Sequence, residues 1–241
     1  MAPRSSAITS LFLCYNVFVK LCQQFLNNHK DNILYFLSSS TAKRKSAQGI
    51  NISYSEYNII KGLGVITMKK TIWLWQLVGF AVTSLGGTLL HFLYDWLGGA
   101  AWIAPFSGVN ESTWEHMKLL FWPMFIFAVV QSFFFKERED FWCIKFKGIL
   151  LGLVLIPVLF YTYNGVIGSS PDWINIAIFF ISAALAYVYE TKLLNKEGIP
   201  CKKKWLEITA LCVIAVLFAV FTFLTPEINI FKDPWTGTYG I

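Results

Sequence analysis

The sequence predicts an all-α integral membrane protein, a bundle of five transmembrane helices between Thr71 and Pro226. Composition is the first reason: 56% of the 241 residues are hydrophobic and only 14% are charged, whereas soluble domains carry about 25% charged residues. The second reason is a series of long apolar runs, and the third is the way that basic residues and tryptophans flank them. A chain this apolar cannot cover its surface with polar groups in water, so lipid is its expected solvent.

Residues 1–67 differ from the remainder of the chain. They contain no Trp, and they hold seven Lys and Arg residues against two acidic ones. The stretch 38–46 is polar and lacks a helical apolar period, which is typical of a linker. Met68-Lys69-Lys70 directly precedes the first apolar run and looks like a natural start. We therefore expect residues 1–67 to be an over-extended gene start or a disordered extension, and residues 68–241 to be the membrane domain.

Five apolar runs are candidates for membrane spans, each of which needs about 20 largely apolar residues. They lie at residues 72–97, 119–135, 148–167, 174–194 and 205–224. The second run is short, but the segment directly before it can extend its helix. Tryptophans at both ends of the runs support these boundaries, because indole rings favour the headgroup level of a bilayer.

The basic residues predict the orientation of the core. If Met68 lies inside, the outer segments hold two basic residues, Lys118 and Lys232, and the inner segments hold eleven. The eleven are Lys69, Lys70, Lys136, Arg138, Lys145, Lys147, Lys192, Lys196, Lys202, Lys203 and Lys204. Because basic residues accumulate in cytoplasmic loops, the core is predicted to begin inside and to end outside. Topology thus accounts for the net charge of +6, and no nucleic-acid partner is expected.

Polar residues collect at the predicted outer ends of the first two spans. His91 and Asp95 are four residues apart, so they share one face of the first helix. Farther along the chain, Asn110 is a candidate N-cap of the second helix, with Glu111 and Glu115 on its first turns, where acids suit the helix dipole. The complete candidate cluster is His91, Asp95, Asn110, Glu111, Glu115 and His116. Ionisable side chains at membrane depth cost free energy because they lose their hydration. Such a cluster is therefore first considered as a functional site.

Two interpretations of this cluster stay open. Imidazole and carboxylate groups suit zinc, iron or manganese, which makes His91, Asp95, Glu111 and His116 candidate metal ligands. The same groups could serve in general acid–base chemistry. Alternatively the cluster is structural, with the glutamates capping the helix and pairing with the histidines or with Lys118. The spacing does not match the His-Glu-x-x-His pattern of zinc proteases.

Glu190, the cysteines and the C-terminal tail each support one further prediction. Glu190 is expected to pair with Lys192, Lys203 or Lys204 at the inner ends of the spans, an arrangement typical of anchors. The five cysteines include no Cys-x-x-Cys pair, so neither a disulfide framework nor a cysteine zinc site is indicated. The turn-rich tail, residues 225–240, could fold back as a lid over the cluster or simply cap the bundle.

The core resembles a family of small prokaryotic integral membrane proteins of unknown function. The resemblance covers residues 68–241 and rests on Leu90–Trp96, on Phe106–Lys118 with its Asn-Glu-Ser-Thr-Trp-Glu-His stretch, and on Asp233–Gly240. It implies a multi-pass protein of a prokaryotic plasma membrane. It implies no activity, substrate or cofactor.

Three classes of function follow from these expectations. The first is a non-enzymatic binding or assembly protein, and the second is a metal-dependent membrane enzyme, hydrolase-like in its chemistry, that uses the polar cluster. The third is a small transporter that acts as an oligomer, because five spans without an evident inverted repeat would need a partner copy for symmetry. The chain has no Walker, Rossmann, Gly-x-Ser-x-Gly or haem-attachment motif, so no nucleotide cofactor is expected. A divalent metal and a homo-oligomer both stay open, and the lipid bilayer is the one partner predicted directly.

Overall fold

The computed structural model describes residues 54–168, 172–196, 198–201 and 204–241, with side chains from Met68 onward except at positions 172 and 204. The chain divides into two compact units, residues 1–69 and residues 70–241, and the second is described below. The prediction that residues 1–67 are an over-extended start or a disordered extension falls mainly on residues outside the described ranges, so it stays a prediction.

Five α-helices make up the described part of the chain. They are α1 Tyr54–Trp96, α2 Thr113–Ser132, α3 Phe141–Ile167, α4 Asp172–Leu194 and α5 Lys204–Phe223. A short 3-10 helix, Asn229–Phe231, follows α5. Within the described residues there is no strand, only an isolated bridge between Lys232 and Tyr239. The all-helical prediction is confirmed.

Four of these helices are long and apolar enough to cross a membrane. The qualifying segments are Met68–Trp96, Phe141–Ile167, Trp173–Leu194 and Trp205–Phe223. Each exceeds or approaches the roughly 20 residues that a bilayer core of about 30 Å requires. Only 17% of the most apolar window is buried in the first and in the last of them, so apolar side chains face outward along their length. In water such a surface would be a large exposed apolar patch, whereas in lipid it is solvated.

Helix α2 is not among these four segments, so the predicted span at residues 119–135 stays a prediction. The helix begins earlier than the apolar run and takes in Glu115, His116 and Lys118, which make it more polar than its neighbours. Many of its apolar side chains lie in the core, among them Leu119, Leu120, Phe121, Met124 and Phe127. Helices α3, α4 and α5 all contact α2.

Two glycines let α1 approach α2 and α4 closely. A Cβ atom added at Gly79 would lie 2.6 Å from ring carbons of Phe127 and Tyr187. At Gly87 it would collide with the Phe179 ring and lie 3.1 Å from the Leu119 carbonyl oxygen. Small residues at such positions permit close packing between spanning helices, and here they bring the polar side chains of α1 against α4.

Helix α3 begins seven residues before the predicted span at 148–167, so the helix is longer than the predicted span. Lys145, which the apolar pattern placed in a loop, lies within the helix. The physical reason is its partner: the Lys145 Nζ atom lies 2.6 Å from the Glu190 Oε2 atom, and both residues are buried. Glu190 was expected to pair with Lys192, Lys203 or Lys204. That expectation is wrong, because its partner is Lys145.

The ends of α2 and α4 and the start of α3 meet at what we call the basic end of the bundle. Arg138 pairs with Asp140 there, with 2.7 Å between Nε and Oδ1, and it donates to the carbonyl groups of Leu194 and Lys196 at the end of α4. A cation at a helix C-terminus satisfies the carbonyls that the helix leaves unpaired. This contact fastens the loop after α2 to the loop after α4.

A disulfide between Cys143 and Cys201 joins the same region. It links the first turn of α3 to the segment before α5. The absence of a Cys-x-x-Cys pair indicated no disulfide framework, and the Cys143–Cys201 bond corrects that interpretation. The two cysteines are 58 residues apart, so only the folded arrangement reveals that they meet.

Candidate functional site

The loop between α1 and α2 is held tightly against the last turns of α1. The Ser107 hydroxyl accepts a hydrogen bond from the Tyr94 amide at 2.9 Å and donates to the Leu90 carbonyl. The Gly108 amide donates to the same carbonyl at 3.2 Å. These bonds satisfy a carbonyl near the helix end, and they bring the residues after Gly108 beside His91.

Ser112, and not Asn110 as predicted, is the N-cap of α2. Its hydroxyl accepts a hydrogen bond from the Glu115 amide at 3.4 Å. The Asn110 Oδ1 atom accepts from the Ser112 amide at 2.9 Å, which turns the chain into the cap. Asn and Ser are both good capping residues, so the sequence pattern alone could not separate their roles.

His91, Glu111 and His116 converge, and we call these three residues the histidine cluster. The His91 Nε2 atom lies 3.4 Å from the Glu111 Oε1 atom, and the His116 Nε2 atom lies 3.7 Å from Glu111 Oε2. The centroids of the two imidazole rings are 5.9 Å apart. One carboxylate is therefore shared by two imidazoles, and 41% of its side chain is exposed.

The protonation of His116 follows from its second ring nitrogen. Its Nδ1 atom lies 2.9 Å from the Ser112 carbonyl oxygen, which can only accept, so Nδ1 carries a proton. Neutral His116 then presents the lone pair of Nε2 to a carboxylate, which is a repulsive arrangement unless a proton or another cation joins them. Burial lowers the pKa of His116, although the Ser112 carbonyl and the Glu111 carboxylate act in the opposite direction.

Glu115 belongs to a different ion pair. Its Oε2 atom lies 2.6 Å from the Lys118 Nζ atom, and both side chains are buried. Lys118 also donates to the Ala104 carbonyl at 2.7 Å and to the Thr222 hydroxyl at 3.1 Å, while Glu115 accepts from the Val109 amide at 3.1 Å. Burial raises the pKa of Glu115 and lowers that of Lys118, and their mutual attraction opposes both changes. This pair fastens α2 to the preceding loop and to α5.

The other two members of the predicted cluster are placed apart from the imidazoles. Asp95 is exposed and joins none of the ion pairs found among the described residues. Asn110 donates through Nδ2 to the Gly240 carbonyl at 2.9 Å. No group of three or more His, Cys, Asp or Glu side chains in the described ranges is arranged to hold a metal ion, and the metal site predicted from His91, Asp95, Glu111 and His116 stays a prediction.

The C-terminal tail folds back onto the start of α2, next to the cluster. Asp233 is buried, and its carboxylate accepts hydrogen bonds from the Trp235 amide at 2.7 Å and the Glu111 amide at 3.4 Å. Phe231 is buried against Trp114, with 4.6 Å between ring centroids. The predicted polar cluster did not include Asp233. An Asp ahead of a Pro-x-x-Gly turn is a local signal for this bonding pattern, although it does not identify Glu111 as a partner.

A small cavity of about 10 Å³ lies beneath His116. Thr113, Asn175 and Phe179 contribute to its wall. A volume of this size is near the lower bound for one water molecule. The cavity therefore offers no room for an organic substrate next to the buried face of His116.

Over the described residues, the fold and the cluster define an all-helical protein with four helices able to cross a membrane and a shared histidine–carboxylate contact where α1 ends and α2 begins. Within that class, the chain belongs to a family of unknown function (DUF6512), whose model matches residues 64–241. This confirms the resemblance to such a family, while the prokaryotic origin stays a prediction. A search of curated proteins and a search of solved structures found no match.

Proposed function

We propose that this chain is a five-span protein of the prokaryotic plasma membrane that acts as a non-enzymatic binding or assembly protein through the histidine cluster. The observation that carries the proposal is Glu111, which lies between His91 and His116 and is 41% exposed. An exposed carboxylate shared by two imidazoles offers a cation or a hydrogen-bonding partner a preformed contact. The lipid bilayer is the solvent of the bundle, and neither nucleic acid nor a nucleotide is a partner.

The proposed topology places the start of the core inside and its C-terminus outside. Ten basic residues on the inner side against two on the outer side support this orientation, once the buried Lys145 is left out of the count. An odd number of spans is needed to put the two ends on opposite sides, so residues 119–135 are the proposed fifth span. Apolar exposed side chains toward the end of α2 and just beyond it support that assignment. They are Ile126, Val129, Val130, Phe133 and Phe134.

Binding without catalysis is favoured because the acids at this end of the bundle already have partners. Glu115 is held by Lys118, and Asp233 is held by backbone amides. The cavity under His116 holds about 10 Å³, which is too small for a substrate. A partner can therefore bind at the exposed part of the Glu111 side chain.

A metal-dependent enzyme, hydrolase-like in its chemistry, is the second candidate. The bond from His116 Nδ1 to the Ser112 carbonyl, 2.9 Å long, favours it. Metal-binding histidines commonly donate their other ring proton to a carbonyl, which fixes the ring and leaves the second nitrogen free for the ion. Either a small shift of Glu111 or a group from outside the cluster would then complete the ligand set.

Zinc and manganese titration of the detergent-purified protein tests the proposal. Wild type should bind one ion, with loss of binding in His91→Gln, Glu111→Gln and His116→Gln. Asp95→Asn is the matched control, since Asp95 is exposed and stands outside the cluster, and it should bind as wild type does. A failure of wild type to bind either ion, combined with reduced stability in all three variants, would make the cluster a structural clasp and refute the binding proposal. Stoichiometric binding accompanied by hydrolysis of envelope lipids would instead favour the enzyme.

A further inference from the structure

A buried ion pair lies far along the bundle from the histidine cluster. Lys145 in α3 and Glu190 in α4 are 1% and 0% exposed, and their charged atoms are 2.6 Å apart. Both residues lie inside helices that are long and apolar enough to cross a membrane. Ionisable side chains at such positions are costly and usually mark ion or proton pathways, and nothing proposed above uses this pair.

The Lys145 ammonium group is surrounded by aromatic rings as well as by its carboxylate partner. Its Nζ atom lies 5.5 Å from the ring centroid of Tyr187 and 5.8 Å from those of Phe127 and Phe141. Aromatic faces stabilise a cation without any counter-charge. Lys145 can therefore keep its charge when Glu190 is neutral.

Lys145 contacts only one of the two carboxylate oxygens of Glu190. Oε2 contacts Lys145, while Oε1 is buried and accepts no hydrogen bond from the described residues. The Gln76 side chain of α1 faces the same carboxylate. The titratable groups that face Glu190 within the described ranges are Lys145 and Tyr187. A proton added to Oε1 converts the carboxylate to a neutral carboxyl group, and the ammonium group remains among the three rings.

Buried polar side chains continue from this pair along α4. The Thr83 hydroxyl of α1 lies 2.8 Å from the Tyr187 hydroxyl of α4, and both residues are buried. Ser182 and Asn175 are also buried on α4, and Asn175 lines the cavity under His116. From Glu190 to Asn175 this series runs about 22 Å along the helix axis, at 1.5 Å per residue. That length covers most of a bilayer core.

We propose that the Lys145–Glu190 pair is the proton-exchange site of a proton-conducting path that follows the buried polar side chains of α4 to the histidine cluster. Each transfer adds one proton to Glu190 Oε1 from one side and releases it toward the other, so the pair returns to its starting state. The inference rests on the proposed insertion in a membrane and is independent of any ligand bound at the cluster. In the transporter alternative, Glu190 would then be the carrier group and the proton the transported ion.

Proton flux into liposomes tests this path. Purified protein is reconstituted with a pH-sensitive dye inside, and valinomycin in a potassium gradient sets the membrane potential. Wild type should acidify the interior faster than empty liposomes do, and Glu190→Gln should lose the excess flux. Glu139→Gln is the matched control because Glu139 is an exposed carboxylate at the same end, and it should conduct as wild type does.

Wild-type flux equal to that of empty liposomes would overturn the proposal, as would full flux in Glu190→Gln. If Glu190→Gln does not fold, Thr83→Val removes the hydroxyl contact with Tyr187 while keeping the side-chain shape, and unchanged flux in it would also refute the path. Flotation of the vesicles distinguishes the two proposals. A chain that does not float with lipid contradicts the membrane assignment, whereas a chain that floats and does not conduct contradicts only the proton path.

Discussion

Asn110 donates a hydrogen bond of 2.9 Å to the carbonyl of Gly240, which lies 130 residues later in the chain. The bond joins the segment before α2 to the C-terminal tail, directly beside the carboxylate of the histidine cluster. The sequence allowed the tail to be either a lid or a cap, and its contacts with Asn110 and Glu111 place it over the start of α2. A partner that binds at Glu111 is therefore expected to contact the C-terminal tail as well.

Releasing the tail should expose it to protease. Asp233→Ala removes the acceptor for the amides of Glu111 and Trp235, each of which then loses a bond worth about 1 kcal/mol. Trypsin should cut after Lys232 faster than in wild type, as followed by mass spectrometry of the released peptide. Glu227→Ala, an exposed change near the tail, is the control, and an unchanged rate in Asp233→Ala would show that the carboxylate does not hold the tail.

Low pH should destabilise the protein through His116. Because burial sets the pKa of folded His116 below its ordinary value, the unfolded chain binds more protons, and the free energy of unfolding falls as the pH drops through about 6.5. Thermal unfolding in detergent across this range should show the loss in wild type and a smaller loss in His116→Gln. An identical pH dependence in both proteins would assign the effect to other groups.

Breaking the Glu115–Lys118 pair should cost far more than removing it. Lys118→Met leaves the carboxylate of Glu115 buried without its cation, which typically destabilises a protein by about 3–5 kcal/mol. The double variant Glu115→Gln with Lys118→Met leaves no uncompensated charge and should recover part of that loss. Chemical unfolding of both variants in detergent measures the difference. If the double variant is the less stable of the two, the cost of Lys118→Met does not come from an uncompensated charge on Glu115.

The disulfide provides an independent test of orientation. Cys143 and Cys201 lie at the basic end, which the positive-inside rule assigns to the cytoplasm, where thiols are kept reduced. We therefore expect both thiols to be reduced in acid-quenched cells and to form the bond on oxidation after lysis. A maleimide gel shift in a chain with Cys14, Cys22 and Cys212 replaced by Ser measures this. A disulfide already present in quenched cells would place the basic end outside and reverse the proposed topology.

The main features of the helices could be predicted from the sequence because span length and apolar content are local properties. Four of the five runs correspond to apolar helices, and three of the six candidate polar residues meet at Glu111. Pairings between distant residues could not be predicted. Lys145 reads as a loop lysine until Glu190, 45 residues later, is seen to neutralise it. The Cys143–Cys201 bond and the contact of Asp233 with Glu111 likewise depend on which helix ends meet.

Gly148 should be required for the buried pair. A Cβ atom at this position of α3 would lie 2.6 Å from the Glu190 Cδ atom, so Gly148→Ala should push the carboxylate away from Lys145 and leave two buried charges apart. Gly165→Ala in the same helix is the matched control, because a Cβ there meets no atom within 4 Å. Alanine should stabilise that position by up to about 1 kcal/mol through helix propensity. Opposite shifts in the thermal midpoints of the two variants would show that space beside Glu190, and not glycine flexibility, is what α3 needs at Gly148; stabilisation in both would contradict this.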